Sequence, residues 1–182
     1  MAIARVLEDL TEASRQRGLP PVHLWHPEHC GEIDIVIRAN GEWWHEGQAI
    51  RRPALVRLFS TVLRRDPDGI HLVTPVEKLK ITVEDAPFVA VAVESEGEDL
   101  VFTTNVGDRV RADADHAIRV ETDPATGEPR PYLHVRAGLD ALIARSVFYE
   151  LVERAGECDK GTLGVRSGGL WFPLGDEAKQ SP

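Results

Sequence analysis

From Ile3 to Leu10 the apolar residues Ile3, Val6, Leu7 and Leu10 recur at spacings of three and four, with Arg5, Glu8 and Asp9 between them. That spacing predicts a short amphipathic helix, ended by Gly18 and the Pro20-Pro21 pair. LWHPEHC follows as a proline-broken loop. At Ile33 the period changes to two: apolar residues alternate with Asp34 up to Ile37, and Trp43-Trp44 begin a return strand. Between them Asn40-Gly41 offers the two positive-φ residues of a type I′ turn, so a β-hairpin is predicted. Pro53 then opens a helix that carries Leu55, Leu58, Phe59, Val62 and Leu63 and is expected to end near Asp66-Pro67-Asp68-Gly69.

Residues 71 to 135 read as strands separated by turn formers such as SEGE and DPATGEP, with an antiparallel meander as the simplest topology. A second helix is expected from Leu139 to about Arg154. GTLGVRSGGLWFPLG forms a last hairpin with Gly168-Gly169 at its tip, before a frayed tail. DIVIRANGEWWHEG (34–47) and TLGVRSGGLWFPLG (162–175) echo each other, with Arg38 on Arg166, Gly41 on Gly169, Trp43 on Trp171 and Trp44 on Phe172. Such self-similarity points to duplicated structure. The fold expected is α+β, with mainly antiparallel strands and two related sheet-plus-helix units. Its organisation is an arm over 1–20, a first unit over 21–95 and a second over 96–182.

Composition excludes several classes. With 42% hydrophobic and 28% charged residues, the chain has the apolar surface that disordered proteins lack. Its first residues carry acids where a signal peptide needs an apolar core, and no run reaches the ~18 apolar residues of a membrane span, so a cytoplasmic protein without membrane contact is expected. Only Cys30 and Cys158 are present, which fits a reducing compartment. The net charge of −9 would repel duplex nucleic acid. The charge is uneven: residues 38–80 hold eight Lys/Arg against five Asp/Glu, whereas residues 81–128 hold three against twelve. A local cationic pocket therefore fits inside an acidic chain.

No G-x-x-x-x-G-K-[ST], H-E-x-x-H, G-x-S-x-G or C-x-x-C motif occurs, so no catalytic residue is assigned and the balance leans away from an enzyme without excluding one. His26, Glu28, His29 and Cys30 lack the second ligand pair that zinc requires, so no metal or cofactor is assigned. The glycine-rich stretch 161–175 reads as turns rather than a phosphate cradle. One aromatic of each hairpin must face away from the core, which leaves Trp44 available for stacking. On a helical wheel Arg145 lies between Phe148 and Tyr149, opposite Leu142 and Val147. This helix is apolar on both sides, so the guanidinium is expected to be partly enclosed and to need a carboxylate or a bound anion.

CGEIDIVIRANGEWWHEGQAIRRPALVRLFSTVLRR, LVTPVEKLKITVEDAPFVA, YLHVRAGLDALIARSVFYELVE and the closing LWFPLG together resemble the bacterial domain of unknown function 1285 family. The likeness covers nearly the whole chain. It implies two structurally related units, the second similar to a pleckstrin-homology fold, with a nucleotide-type ligand between them and a role in signalling. No established enzymatic activity comes with the resemblance.

The reading that joins these observations is a binding or signalling module. Arg52, Lys78, Arg136 and Arg145 hold an anionic, nucleotide-like ligand at the junction of the halves, with Thr74 donating a hydroxyl, Glu77 orienting the cations and Trp44 stacking on a base. The alternatives are a hydrolase or transferase with Glu77 as general base, and a structural partner protein assembling through its tryptophan hairpins. A homodimer is the expected assembly, because meander edges need cover.

Overall fold

A computed structural model describes residues 18–157 and 161–175. The helix predicted over 3–16 and the tail beyond Gly175 lie outside them. The chain divides into two units at Asp85/Ala86. This lies before the boundary expected at residue 95, because Phe88–Glu96 is one uninterrupted strand of the second sheet.

The first unit contains β1 (His29–Ile37), β2 (Trp43–His45), β3 (Gln48–Ala49), α1 (Pro53–Ser60), β4 (Leu63–Asp66), β5 (Gly69–Val73) and β6 (Glu77–Val83). The sheet order is β3-β2-β1-β6-β5-β4. The predicted hairpin is present, with Ile37 opposite Trp43 and Val36 opposite Trp44. Its loop is longer than a type I′ turn: Gly41 N–H donates to Arg38 O (2.8 Å), Arg38 N–H to Glu42 O (2.9 Å), and only Gly41 has positive φ (85°). A type I turn followed by one left-handed residue makes a three-residue loop.

Pro53 opens α1 as expected, but the helix ends at Ser60 rather than near Asp66. Leu63–Asp66 instead pairs antiparallel with Gly69–Val73, and Pro67-Asp68 form the tip of that hairpin. Ile35, Ile37, Phe59, Leu72 and Val73 are fully or almost fully buried, and Trp43 stacks on Phe59 with ring centroids 6.2 Å apart. That aromatic pair fixes α1 against the sheet, since each ring removes on the order of 150–250 Å² from water.

The second unit contains β7 (Phe88–Glu96), β8 (Asp99–Thr104), β9 (Arg109–Arg111), β10 (Ile118–Thr122), β11 (Pro129–Arg136), β12 (Leu139–Ile143), α2 (Arg145–Glu153), β13 (Gly156–Glu157), β14 (Leu163–Ser167) and β15 (Leu170–Pro173). Its main sheet has the order β10-β11-β12-β7-β8-β9, and β13-β14-β15 form a separate small sheet. The helix expected from Leu139 begins only at Arg145. Leu139, Ala141 and Ile143 alternate into the core, which makes this stretch a strand of period two. Among the described residues both units are mostly strand with one α-helix each, and their six-stranded sheets are mixed rather than purely antiparallel. β1 runs parallel to β6, and β12 runs parallel to β7.

Counted within its unit, each six-stranded sheet has the order 3-2-1-6-5-4, with its first and last strands paired at the centre. The two tryptophan hairpins do not share this equivalence. β1-β2 belong to the six-stranded sheet of the first unit, whereas β14-β15 lie in the small sheet of the second. Gly168 and Gly169 both have positive φ (57° and 75°), which is the two-residue type I′ turn expected. One residue fewer in the loop slips the register by one, so Trp171 stands opposite Arg166 and Phe172 opposite Val165. Trp43 and Phe172 are therefore the buried aromatics, while Trp44 and Trp171 are half-buried beneath Arg38 (4.0 Å) and Arg166 (5.5 Å). Trp43 and Trp171 do not occupy equivalent places. Among the described residues no helix is long and apolar enough to cross a membrane.

Candidate functional site

The residues singled out by sequence fall in both units. Five belong to the first. Trp44 donates its indole N–H to Glu42 (3.2 Å) and carries the Arg38 guanidinium on its ring. Arg52 is exposed at the start of α1, where its carbonyl accepts the N–H groups of Leu55 (3.0 Å) and Val56 (3.2 Å). The Thr74 hydroxyl serves the turn between β5 and β6: it accepts from Val76 N (3.3 Å) and Glu77 N (3.1 Å) and donates to Glu77 O (3.3 Å). It is thus committed to its own backbone rather than free for a ligand.

Lys78 does not pair with Glu77, because adjacent residues of β6 face opposite ways. Its ammonium sits 3.1 Å from Asp66 Oδ2. Arg64 grips the same carboxylate with two hydrogen bonds of 2.8 and 2.9 Å and reaches the carbonyls of Val22 (3.0 Å) and Trp25 (2.8 Å). Chiefly the Arg64 hydrogen bonds, opposed by burial and aided by Lys78, hold the Asp66 carboxyl down at about 2. Asp68 and His71 stand next to it, and donor atoms of Asp66, Asp68 and His71 lie within 4.8 Å of one another, an arrangement able to ligate a metal. Two side-chain cations already occupy Asp66, so the arrangement reads as an ion-pair network. Glu77 is buried on the other side of the strand, and its Oε1 has no hydrogen-bond partner among the described residues. Burying a carboxylate oxygen in this way is costly unless it is protonated or meets a donor.

In the second unit Arg136 pairs with Asp108 (2.6 Å) and covers the Phe88 ring at 4.7 Å, which makes it a packing residue of β11. Arg145 differs. It is exposed rather than enclosed, because the strand that precedes it removes the second apolar side imagined on a longer helix. It opens α2 and donates Nε–H to the Tyr149 hydroxyl (2.8 Å), one helical turn on. It forms no ion pair among the described residues, and the Tyr149 contact raises its already high pKa.

Arg145 lines a cleft of about 440 Å³. Its apolar wall includes Leu142, Ile143, Phe148 and Pro131, and its polar wall comes from the β10–β11 turn with Asp123, Thr126, Glu128 and Arg130. Asp123 organises that turn. It accepts the backbone N–H groups of Ala125 (2.8 Å) and Thr126 (3.1 Å) and the Arg130 guanidinium (3.1 Å), which together lower its pKa. Sequence reasoning passed over Asp123 and Glu128, since DPATGEP carries only the signal of a turn, and over Arg130 beside it. Chemically the cleft offers a guanidinium, a phenol ring and an apolar floor, a set suited to a small molecule with an anionic head group.

Residues 20–86 match the domain of unknown function (DUF1285), N-terminal domain, and residues 87–174 match the DUF1285 C-terminal domain. The structure resembles the crystal structure of a DUF1285 family protein from Silicibacter pomeroyi DSS-3, with a TM-score of 0.81 and 50% sequence identity over 91% of this chain and 93% of that one. It also resembles a DUF1285 family protein from Shewanella baltica OS155, with a TM-score of 0.53 and 27% identity over 65% of this chain and 90% of that one. No curated protein matches. The chain belongs to the DUF1285 family.

Proposed function

We propose that this DUF1285 protein is a cytoplasmic ligand-binding module with a signalling role, and that the cleft of its second unit receives a small molecule through an anionic head group. The observation that carries this reading is Arg145, a guanidinium lining a preformed cleft with a phenol as its hydrogen-bond partner and no carboxylate paired to it among the described residues. A guanidinium pairs bidentately with phosphate or carboxylate. Tyr149 and Phe148 present aromatic surface to the body of the ligand, and a nucleotide-like molecule, with phosphate and base, fits that description. The shared strand order of the two sheets supports descent of the units from one ancestor, and six strands followed by α2 in the second unit supports its pleckstrin-homology likeness at the level of element order.

The test is calorimetric titration of the full chain with adenosine monophosphate, inorganic phosphate and simple carboxylates, repeated with Arg145→Ala. Loss of about 1.5–3 kcal/mol of binding energy in the variant is expected. Affinity for these anions unaffected by Arg145→Ala would defeat the reading.

A second reading rests on Glu77, whose buried Oε1 has no hydrogen-bond partner among the described residues. Such an oxygen suits a general base in a hydrolase or transferase acting on a phosphorylated small molecule. Steady turnover of phosphorylated substrates that disappears in Glu77→Gln would favour it.

A further inference from the structure

The cleft in the second unit contains two guanidiniums and two carboxylates, of which one pair is joined. Asp123 and Arg130 meet at 3.1 Å. Arg145 spends one N–H on Tyr149, and its terminal nitrogens make no hydrogen bond among the described residues. The Glu128 carboxylate makes neither a hydrogen bond nor an ion pair among the described residues, although its charge acts on Arg145 through space. A cation and an anion thus line one cleft without touching, above a floor of Leu142, Ile143 and Phe148.

An unpaired anion beside an unpaired cation constrains what can enter. A ligand bearing several negative charges would gain at Arg145 and lose at Glu128. A ligand whose single anionic group lies a few bonds from a cationic one would gain at both, and its apolar remainder would cover the floor. We propose that the cleft takes a zwitterionic amino acid with an apolar side chain, its carboxylate on Arg145 and its ammonium on Glu128, so that Glu128 determines specificity. This rests on the reading that Arg145 receives the ligand's anionic group.

The experiment titrates the full chain with L-phenylalanine, L-leucine, 3-phenylpropionate (the acid without the amine), phenethylamine (the amine without the acid) and adenosine monophosphate. An amino acid should bind, and each phenylalanine analogue lacking one charge should bind about tenfold or more weakly, as expected for a lost charged hydrogen bond. Glu128→Gln should abolish the advantage of L-phenylalanine over 3-phenylpropionate while leaving 3-phenylpropionate itself unchanged or tighter. If 3-phenylpropionate binds as tightly as L-phenylalanine, or adenosine monophosphate binds and neither amino acid does, the zwitterion proposal is overturned while Arg145 keeps its role. If none of the probes binds, both proposals fall.

Discussion

Two charged clusters, one in each unit, differ in how far their charges are already satisfied. In the first, Asp66 receives Arg64 and Lys78 together, and Asp68 lies beside Lys80 and His71. Every cation there has a carboxylate within reach. In the second, Arg145 and Glu128 line a 440 Å³ cleft and neither is paired with the other. Clustering of charge is therefore a poor marker of a binding site, because a satisfied network and an open one both bring acids and bases together. What separates them is whether hydrogen-bonding capacity is already used: the first spends it on the fold, and in the second Arg145 and Glu128 leave part of it unspent among the described residues. Stability and binding should divide along the same line.

The sharpest break is at Asp66. Removing it as Asp66→Ala leaves Arg64 and Lys78 facing each other in a partly buried place, a loss of about 3 kcal/mol at the low end for broken buried pairs. Urea denaturation of the wild type and variant measures it, and a change below about 1 kcal/mol would show the network to be ornamental.

Acid provides the next largest effect. The Asp66 carboxyl titrates at about 2 when folded, against 3.8 for the unfolded reference. A depressed acid contributes its full stability above the unfolded value and loses it as pH falls from near 4 toward 2. That contribution is on the order of 2 kcal/mol. Stability measured across this window should fall with a component that is missing in Asp66→Asn. Thr74→Val tests a neutral group used in the same way: its buried hydroxyl accepts two N–H groups of the β5–β6 turn, so its removal should cost about 1 kcal/mol of stability.

Local patterns were legible in the sequence, and partners distant along the chain were not. The Ile33–Ile37 alternation and Pro53 marked the end of β1 and the start of α1, since period and cap are properties of a few adjacent residues, whereas the start of β1 at His29, within the expected loop, and the end of α1 at Ser60 were not foreseen. The parallel pairing of β1 with β6 was invisible, because antiparallel and parallel strands present the same alternation. Asp66-Pro67-Asp68-Gly69 reads equally as a helix stop or a hairpin tip. The Leu139–Ile143 strand was taken for helix because Ala144 gives no capping side chain to mark where α2 starts. The echo of the two hairpins was a match of letters that a one-residue difference in loop length turned to opposite faces. Of the site, Arg145 was found by its unusual company on the helical wheel, although for an enclosure that does not exist. Glu128 was missed because nothing in DPATGEP distinguishes a turn carboxylate that is spoken for, as Asp123 is, from one that is free.

The smallest stability effect separates the clusters most cleanly. Arg145 is exposed, forms no ion pair among the described residues, and has Tyr149 as its hydrogen-bond partner, itself 52% exposed. An exposed hydrogen bond between neighbours on a helix contributes little, so Arg145→Ala should alter unfolding stability by less than about 0.5 kcal/mol. The same variant carries the loss of anion binding expected above. A small change in denaturation midpoint together with lost affinity would mean that Arg145 lines the cleft for a ligand rather than for the fold. A stability loss approaching that of Asp66→Ala would mean that the second cluster holds the unit together as the first does. The contrast would then collapse, since a residue already committed to the fold has little capacity left to offer an incoming anion.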